Sequence, residues 1–495
     1  MTVQTACDLA QYKLYIDGQW CDPDSGETFV SENPAIGAGW ADIADGRAGD
    51  IDRAVAAARR AFDKDGWPDL IPQERAKLLR RLADLCLERG PEIAKLEATD
   101  NGKLITEMML QWRLIHELLL YWAGMTDKID GRMIPSPLPL DVRGTHLPNC
   151  FAYTRREPVG VVGAITPWNS PAMQIAYKFG PAMAAGCTMV CKPSEHAPVS
   201  TLEFTRLVDE AGFPPGVFNT VPSSRKDVGA HLAAHRDVDK VSFTGSTAVG
   251  QSIVRASADN MKRVTCELGG KSASIVFADA DIEKAVTGVM AGIFAATGQT
   301  CMAGSRVLVE DPIYDRFVAA LAEAARGMKV GDPLDPGTQM GPIANRPNYE
   351  KVLSYFEIAK QEGVQAAAGG SAHELGGYFV HPTVFAGVTN QMRVAREEIF
   401  GPVASVIRFN GEEEAIAIAN DTDYGLAGGV FTESIPKAHR VAAKVRAGTV
   451  WINTYRLVTH MAPFGGYKMS GWGRENSLEG LDAFLETKAV WVPVE

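Results

Sequence analysis

Apolar residues recur three or four apart over residues 50–62, 73–89 and 104–125, and this spacing predicts three helices that each bury one face. Asp50 stands directly before Ile51, with Arg53 beyond, and is expected to cap the first helix. The segment Pro135-Ser-Pro-Leu-Pro139 then breaks the pattern and predicts an extended stretch. It leads into an alternating strand at Phe151–Arg155, read either as an arm or hairpin at a subunit contact or as a surface loop.

From residue 159 the period changes. Short continuous apolar runs at 159–165, 188–191, 217–221, 240–244 and 274–277 predict buried strands, separated by helical stretches such as 201–210 and 248–258. Continuous rather than alternating apolar strands, spaced by helices, imply a parallel sheet covered on both faces. A second segment of the same kind follows: a helix over 281–297, strands at 307–310 and 405–409, and helices at 313–327 and 412–419. The expected fold class is α/β.

Length and charge narrow the picture. A chain of 495 residues exceeds one ordinary core and predicts two or three domains. The net charge of −11, with no dense basic run, argues against a nucleic-acid partner. Eight cysteines, at 7, 21, 86, 150, 187, 191, 266 and 301, show no metal-ligand spacing, so reduced thiols, a cytoplasmic location and no metal are expected. The first basic residue is Lys13, which gives no charged n-region of a signal peptide. Residues 285–305 carry no charge and imitate a membrane span in length, but Thr287, Thr297, Gln299 and Thr300 mark a buried helix that delivers a loop, with no membrane partner expected.

That loop, Gly298-Gln-Thr-Cys-Met-Ala-Gly-Ser-Arg306, sets one cysteine among small and polar residues. Upstream, Glu267-Leu-Gly-Gly-Lys271 follows a carboxylate with two glycines. A nucleophilic sulfur and a separate carboxylate base suit the making and hydrolysis of a thioester. Further motifs fall at strand ends, where ligands collect in α/β sheets. Thr166-Pro-Trp-Asn169 follows one strand and Lys192-Pro-Ser-Glu195 the next. Phe243-Thr-Gly-Ser-Thr-Ala-Val-Gly250 joins a strand to a helix N-terminus that can hold a pyrophosphate, although its glycines are spaced G-x-x-x-x-G and not G-x-G-x-x-G.

In this order, PWN at 167–169, KPSE at 192–195, FTGST at 243–247, ELGGK at 267–271, GQTC at 298–301, EEIFGP at 397–402 and PFGGYK at 463–468, the chain resembles the aldehyde dehydrogenase superfamily over nearly its whole length. The resemblance implies a Rossmann-type cofactor domain (1–128 and 151–266), an α/β catalytic domain (267–475) and a small oligomerisation arm (129–150 and 476–495), in a homodimer or homotetramer. It implies Cys301 as nucleophile, in a site that favours the thiolate. Asn169, with the Cys301 backbone N–H, would form the oxyanion hole, and Glu267 would be the base that hydrolyses the thioester. Relatives that pass the acyl group to coenzyme A commonly lack that base, so the chain looks hydrolytic; a CoA-acylating enzyme and an inactive binding or structural relative are the alternatives.

For the cofactor, the resemblance implies NAD, with NADP second. Lys192 and Glu195 would hold the adenosine ribose, Gly245 and Ser246 the pyrophosphate, Trp168 the dinucleotide, and Glu398 and Phe400 the nicotinamide ribose. Lys178 and Glu475 resemble positions near a proton path, or are solvated surface charges. Ser170, Gln174, Ala295 and Ala296 stand where bulkier groups are frequent in relatives, which implies a roomier, more polar tunnel. Arg456, in a loop that lines the substrate entrance in relatives, is expected to bind a carboxylate or polar oxygen of the aldehyde, or else to face solvent.

Overall fold

The structure is a computed structural model that describes residues 9–135, 143–144 and 150–493. Most of Pro135–Pro139, and Cys7, lie outside the described residues. The first predicted helix spans Ala48–Asp63, and its N-cap is Arg47, three residues earlier than expected. Asp50 instead occupies the third helical position, where its buried carboxylate accepts from the Arg47 backbone N–H at 2.7 Å. The second helix, Pro72–Asn101, runs a full twelve residues past Arg89 and straight through Pro91. It packs along Ile105–Met125, and Gly90 lets the Trp112 side chain approach to where a Cβ would lie 2.9 Å away. Tertiary packing here outweighs the local cost of an interior proline.

Two large sheets follow from the buried strands. In the eight-stranded sheet, Arg263–Glu267, Lys240–Thr244, Val161–Ile165, Thr188–Lys192 and Phe218–Thr220 run parallel in that spatial order. Gly471–Trp472 and the hairpin Leu14–Ile16/Gln19–Cys21 close its edges with antiparallel pairs. Strand order reverses between Val161–Ile165 and Lys240–Thr244, so a crevice opens at their carboxyl ends. The seven-stranded sheet is centred on Ala273–Val276 and Arg306–Glu310, flanked by Val403–Phe409 and Thr383–Val388 on one side and Ala427–Phe431 and Thr449–Ile452 on the other, all parallel, with Gln365–Ala368 antiparallel at the edge.

The alternating strand predicted at 151–155 is longer, Cys150–Pro158, and pairs over nine residues with Leu485–Pro493. With Met133–Ile134 it makes a separate three-stranded sheet, which exposes Met133, Phe151, Trp491 and Val492. A boundary at residue 151 therefore falls inside a strand of this sheet. The uncharged run 285–305 is not one helix: Ile282–Ile293 is helical, and the chain then turns sharply through Ala295–Gly298. Among the described residues no helix is long and apolar enough to cross a membrane.

Candidate active site

Cys301 lies on the loop between helix Ile282–Ile293 and strand Arg306–Glu310, at the amino edge of the seven-stranded sheet. It faces the carboxyl edge of the eight-stranded sheet, so the site is built from opposite strand ends and not from carboxyl ends alone. Three consecutive residues before it, Ala296, Thr297 and Gly298, have left-handed backbones with φ of 52°, 56° and 67°. Two of these carry a Cβ, at a cost of about 1–3 kcal/mol each. The surroundings hold them there. Ala296 N–H donates to Glu107 Oε1 at 2.9 Å, and the Gln299 amide oxygen accepts from Ala344 N–H at 2.9 Å and Asn348 Nδ2 at 3.2 Å. At Gly298 an added Cβ would come within 2.2 Å of the Gly401 carbonyl oxygen, so only glycine fits.

Glu267 ends the strand Arg263–Glu267 and is 5% exposed, and neither of its carboxylate oxygens has a hydrogen-bond partner among the described residues. Burial, with Glu475 alongside, holds this carboxyl well above the usual carboxylate range against the pull of Lys178 and Arg474. Lys178 and Glu475 are not surface charges. Lys178 is 1% exposed and donates to Glu475 Oε1 at 2.5 Å and to Thr244 Oγ1 at 2.6 Å. Asn169 is buried and its Nδ2 donates to the Gln299 carbonyl at 2.9 Å, two residues before the cysteine.

The thiolate expectation does not hold for the protein by itself. Burial first, then the carboxylates of Glu267, Glu398 and Glu475, push the Cys301 thiol up to about 12. The sulfur rests as a thiol until something positive or proton-accepting joins it.

Two cavities meet at this group. One, about 160 Å³, is lined by Trp168, Gly245, Ser246, Glu398 and Phe400 together with Lys351. Trp168 meets Phe400 edge-on at 5.2 Å, and Phe400 itself has a φ of 60°. The glycines of Glu267–Lys271 serve close approach: a Cβ on Gly269 would lie 2.2 Å from Glu398 Oε2, and Gly270 N–H donates to Glu398 Oε1 at 2.8 Å. Ser246 caps helix Thr247–Ser257, and a Cβ on Gly245 would strike the Phe243 ring at 2.5 Å. Lys192 and Glu195 lie outside this cavity, one strand further along the same sheet edge, with Lys192 Nζ 3.3 Å from Glu195 Oε2. Burial would raise the Glu195 carboxyl, but Lys192 and His196 outweigh it and hold it below its ordinary value.

The second cavity, about 370 Å³, is lined by Ser170, Gln174 and Arg456, as expected, but not by Ala295 or Ala296. Ala296 is buried in the strained turn and Ala295 lines a separate surface hollow, so their small size does not widen this space. Lys103 and Glu107 line the cavity and carry no signal in the sequence. Lys103 follows Gly102, the left-handed residue that ends helix Pro72–Asn101, where a lysine reads as an ordinary surface residue. Its Nζ is instead buried and donates to Ser170 Oγ at 2.5 Å. Asn169, Gln174, Thr244, Glu267 and Cys301 line both cavities.

Residues 20–490 match the aldehyde dehydrogenase family. An aldehyde dehydrogenase of Enchytraeus buchholzi is 47% identical over 97% of this chain and 95% of its own length. The (Z)-2-((N-methylformamido)methylene)-5-hydroxybutyrolactone dehydrogenase of Acinetobacter baylyi is 45% identical over 98% of this chain and 97% of its own. The structure of an aldehyde dehydrogenase from Bacillus cereus in complex with NAD⁺ superposes with a TM-score of 0.94 at 45% identity, covering 98% of this chain and 97% of that one.

Proposed function

Since the chain belongs to the aldehyde dehydrogenase family, we propose that it oxidises an aldehyde to a carboxylic acid with NAD through a thioester on Cys301. The observation that carries this reading is the meeting of two cavities at one cysteine and one orphaned carboxyl. A sulfur shared by both spaces can hold a substrate carbon on one side and present it to a cofactor on the other.

The residues fit NAD. The capped helix start at Gly245-Ser246 offers N–H groups to a pyrophosphate, Lys192 and Glu195 offer a donor and an acceptor to ribose hydroxyls, and Trp168, Glu398 and Phe400 enclose the nearer cavity. NAD, when bound, accepts the hydride and brings a positive nicotinamide ring that opposes the carboxylates around the thiol. Cys301 sulfur gives its proton to water and attacks the aldehyde carbon, and the Asn169 amide, with the Cys301 N–H, holds the resulting oxyanion. Once the hydride has left that carbon a thioester remains on Cys301. Glu267, whose oxygens are free of other partners, takes a proton from water as the water oxygen attacks the thioester. The C–S bond breaks, the acid departs, and the sulfur regains its proton. Lys178, Thr244 and Glu475 adjoin Glu267 and offer its proton a way out. Water as the acyl acceptor favours the hydrolytic type over the CoA-acylating one.

In the same reading the eight-stranded sheet is the cofactor unit, the seven-stranded sheet the catalytic unit, and the three-stranded sheet the subunit contact of a cytoplasmic homodimer or homotetramer. Its exposed Phe151 and Trp491 suit such a contact. Mixing the protein with NAD and a panel of aldehydes, and following absorbance of the reduced cofactor, tests the reaction. Cys301→Ser is expected to abolish turnover while NAD still binds; near-normal turnover in that variant would refute the covalent route.

A further inference from the structure

The larger cavity carries a pair of cations beside the reacting cysteine. Two cations from distant parts of the chain line it, Lys103 beyond helix Pro72–Asn101 and Arg456 on the loop after strand Thr449–Ile452. Three acidic residues share this wall: Glu475 is paired with Lys178, burial holds the Glu267 carboxyl well above the usual carboxylate range, and Glu107 has one oxygen taken by the Ala296 N–H and the other without a partner among the described residues. Arg456 makes no hydrogen bond or ion pair with any described residue, so its five N–H donors are uncommitted. Lys103 is 5% exposed and spends one of its three protons on Ser170 Oγ.

The loop is held so that Arg456 keeps this position. Its backbone is left-handed, with a φ of 67°, a conformation that a side-chain-bearing residue adopts at a cost. On one side the Tyr455 hydroxyl donates to the Met302 carbonyl at 3.0 Å, next to the cysteine. On the other the Trp451 indole N–H donates to the Leu457 carbonyl at 2.9 Å. A strained arginine pinned from both sides, with nothing of its own to bind, is arranged for a ligand. Burial weakens the hold of Lys103 on its proton and repulsion from Arg456 adds to the effect, against the pull of Glu107, Glu97 and Cys301. A positively charged aldehyde would add to that repulsion, and a plain alkyl aldehyde would bury it without relief. An anion placed between the two cations removes it.

Resting on the aldehyde-oxidising reading above, we infer that the substrate is an aldehyde carrying a carboxylate, bound by Lys103 and Arg456 in the cavity that ends at Cys301. The carboxylate takes charged hydrogen bonds from both side chains, and the unpartnered Gln174 Oε1 on the same wall accepts from any hydroxyl between the acid and the aldehyde.

The test uses the full chain with saturating NAD and matched probes: 4-oxobutanoate, 5-oxopentanoate and 6-oxohexanoate against butanal, pentanal and hexanal, and 4-carboxybenzaldehyde against benzaldehyde. Expected is a higher kcat/KM for the acid of at least one pair. In Arg456→Ala the acid-to-neutral ratio of that pair should fall about 10- to 100-fold, mostly through KM. Arg456→Lys should restore part of the ratio, and Lys103→Met, which keeps the length of the side chain, should lower it independently. Failure to oxidise any aldehyde sinks the proposed reaction itself. Oxidation in which every neutral probe equals or beats its acid, with a ratio unmoved by Arg456→Ala and Lys103→Met, overturns the carboxylate subsite and leaves the reaction standing.

Discussion

The two cavities that meet at Cys301 are built on different plans. The smaller is assembled from strand ends and the turns that follow them, Thr166–Asn169 and Gly245–Ser246 on either side of the strand-order reversal in one sheet. Its shape depends on backbone approach: Gly245 spares the Phe243 ring and Gly269 spares the Glu398 carboxylate. The larger is walled by side chains of the helices Ile105–Met125 and Pro171–Ala185 and of the 453–464 loop, which converge only after the sheets have packed. A cavity made of backbone accepts one ligand framework and tolerates little change. A cavity made of side chains can be recharged by single substitutions without disturbing the chemistry behind it.

The sharpest way to break this division is at the group that serves both cavities. Glu267→Gln removes the base but keeps the shape of a buried, unpartnered side chain. Steady-state turnover should fall about 10²–10⁴-fold, while a burst of reduced cofactor, about one per active site, should survive. Equal loss of burst and steady state would place Glu267 in the first chemical step instead.

How much was legible in the sequence follows the same division. The motifs of the smaller cavity are contiguous, so the family resemblance they carry points to Trp168, Asn169, Gly245, Ser246, Glu267, Glu398 and Phe400, and all of these line that cavity. Local pattern also placed the buried strands, because a strand between two helical layers is apolar without interruption. It missed the extension of helix Pro72–Asn101 through Pro91, where packing against Ile105–Met125 decides, and it assigned Asp50 to the cap when the residue sits one turn inside. Lys103 and Glu107 were invisible because a charged residue beside a helix end looks solvated until another segment covers it. Ala295 and Ala296 erred the other way: nearness in sequence to Cys301 placed them in the cavity, and the reversed turn at Ala296–Gly298 removes them from it.

On the cofactor side a smaller effect is expected one strand away from the chemistry. Glu195 is held ionised by Lys192 and His196, which outweigh its burial, so its charge should repel a 2′-phosphate and accept from a 2′-hydroxyl. Glu195→Gln should shift the ratio of kcat/KM for NAD over NADP toward NADP by about 10- to 100-fold, the worth of one charged hydrogen bond. A natural preference for NADP would show that this edge of the sheet does not read the ribose.

The smallest expected effect is the pH dependence of substrate choice. Burial pulls the Lys103 ammonium down to about 8, with Arg456 from the 453–464 loop adding to the fall and Glu107, Glu97 and Cys301 opposing it. A lysine whose value is lowered keeps its charge below that value and loses it above, so Lys103 is a cation at pH 6.5 and largely neutral at pH 9.5. Titrations that govern the chemistry, those of Cys301 and Glu267, act alike on an acidic and a neutral aldehyde and cancel in the ratio of their kcat/KM values. The ratio of 4-carboxybenzaldehyde to benzaldehyde should therefore decline by up to about tenfold between these limits, as one of two charged partners is lost. In Lys103→Met the slope should vanish and the ratio should sit at its high-pH value throughout. A ratio that stays flat or rises with pH in the unmodified protein would mean that Lys103 does not bind the substrate's charged end.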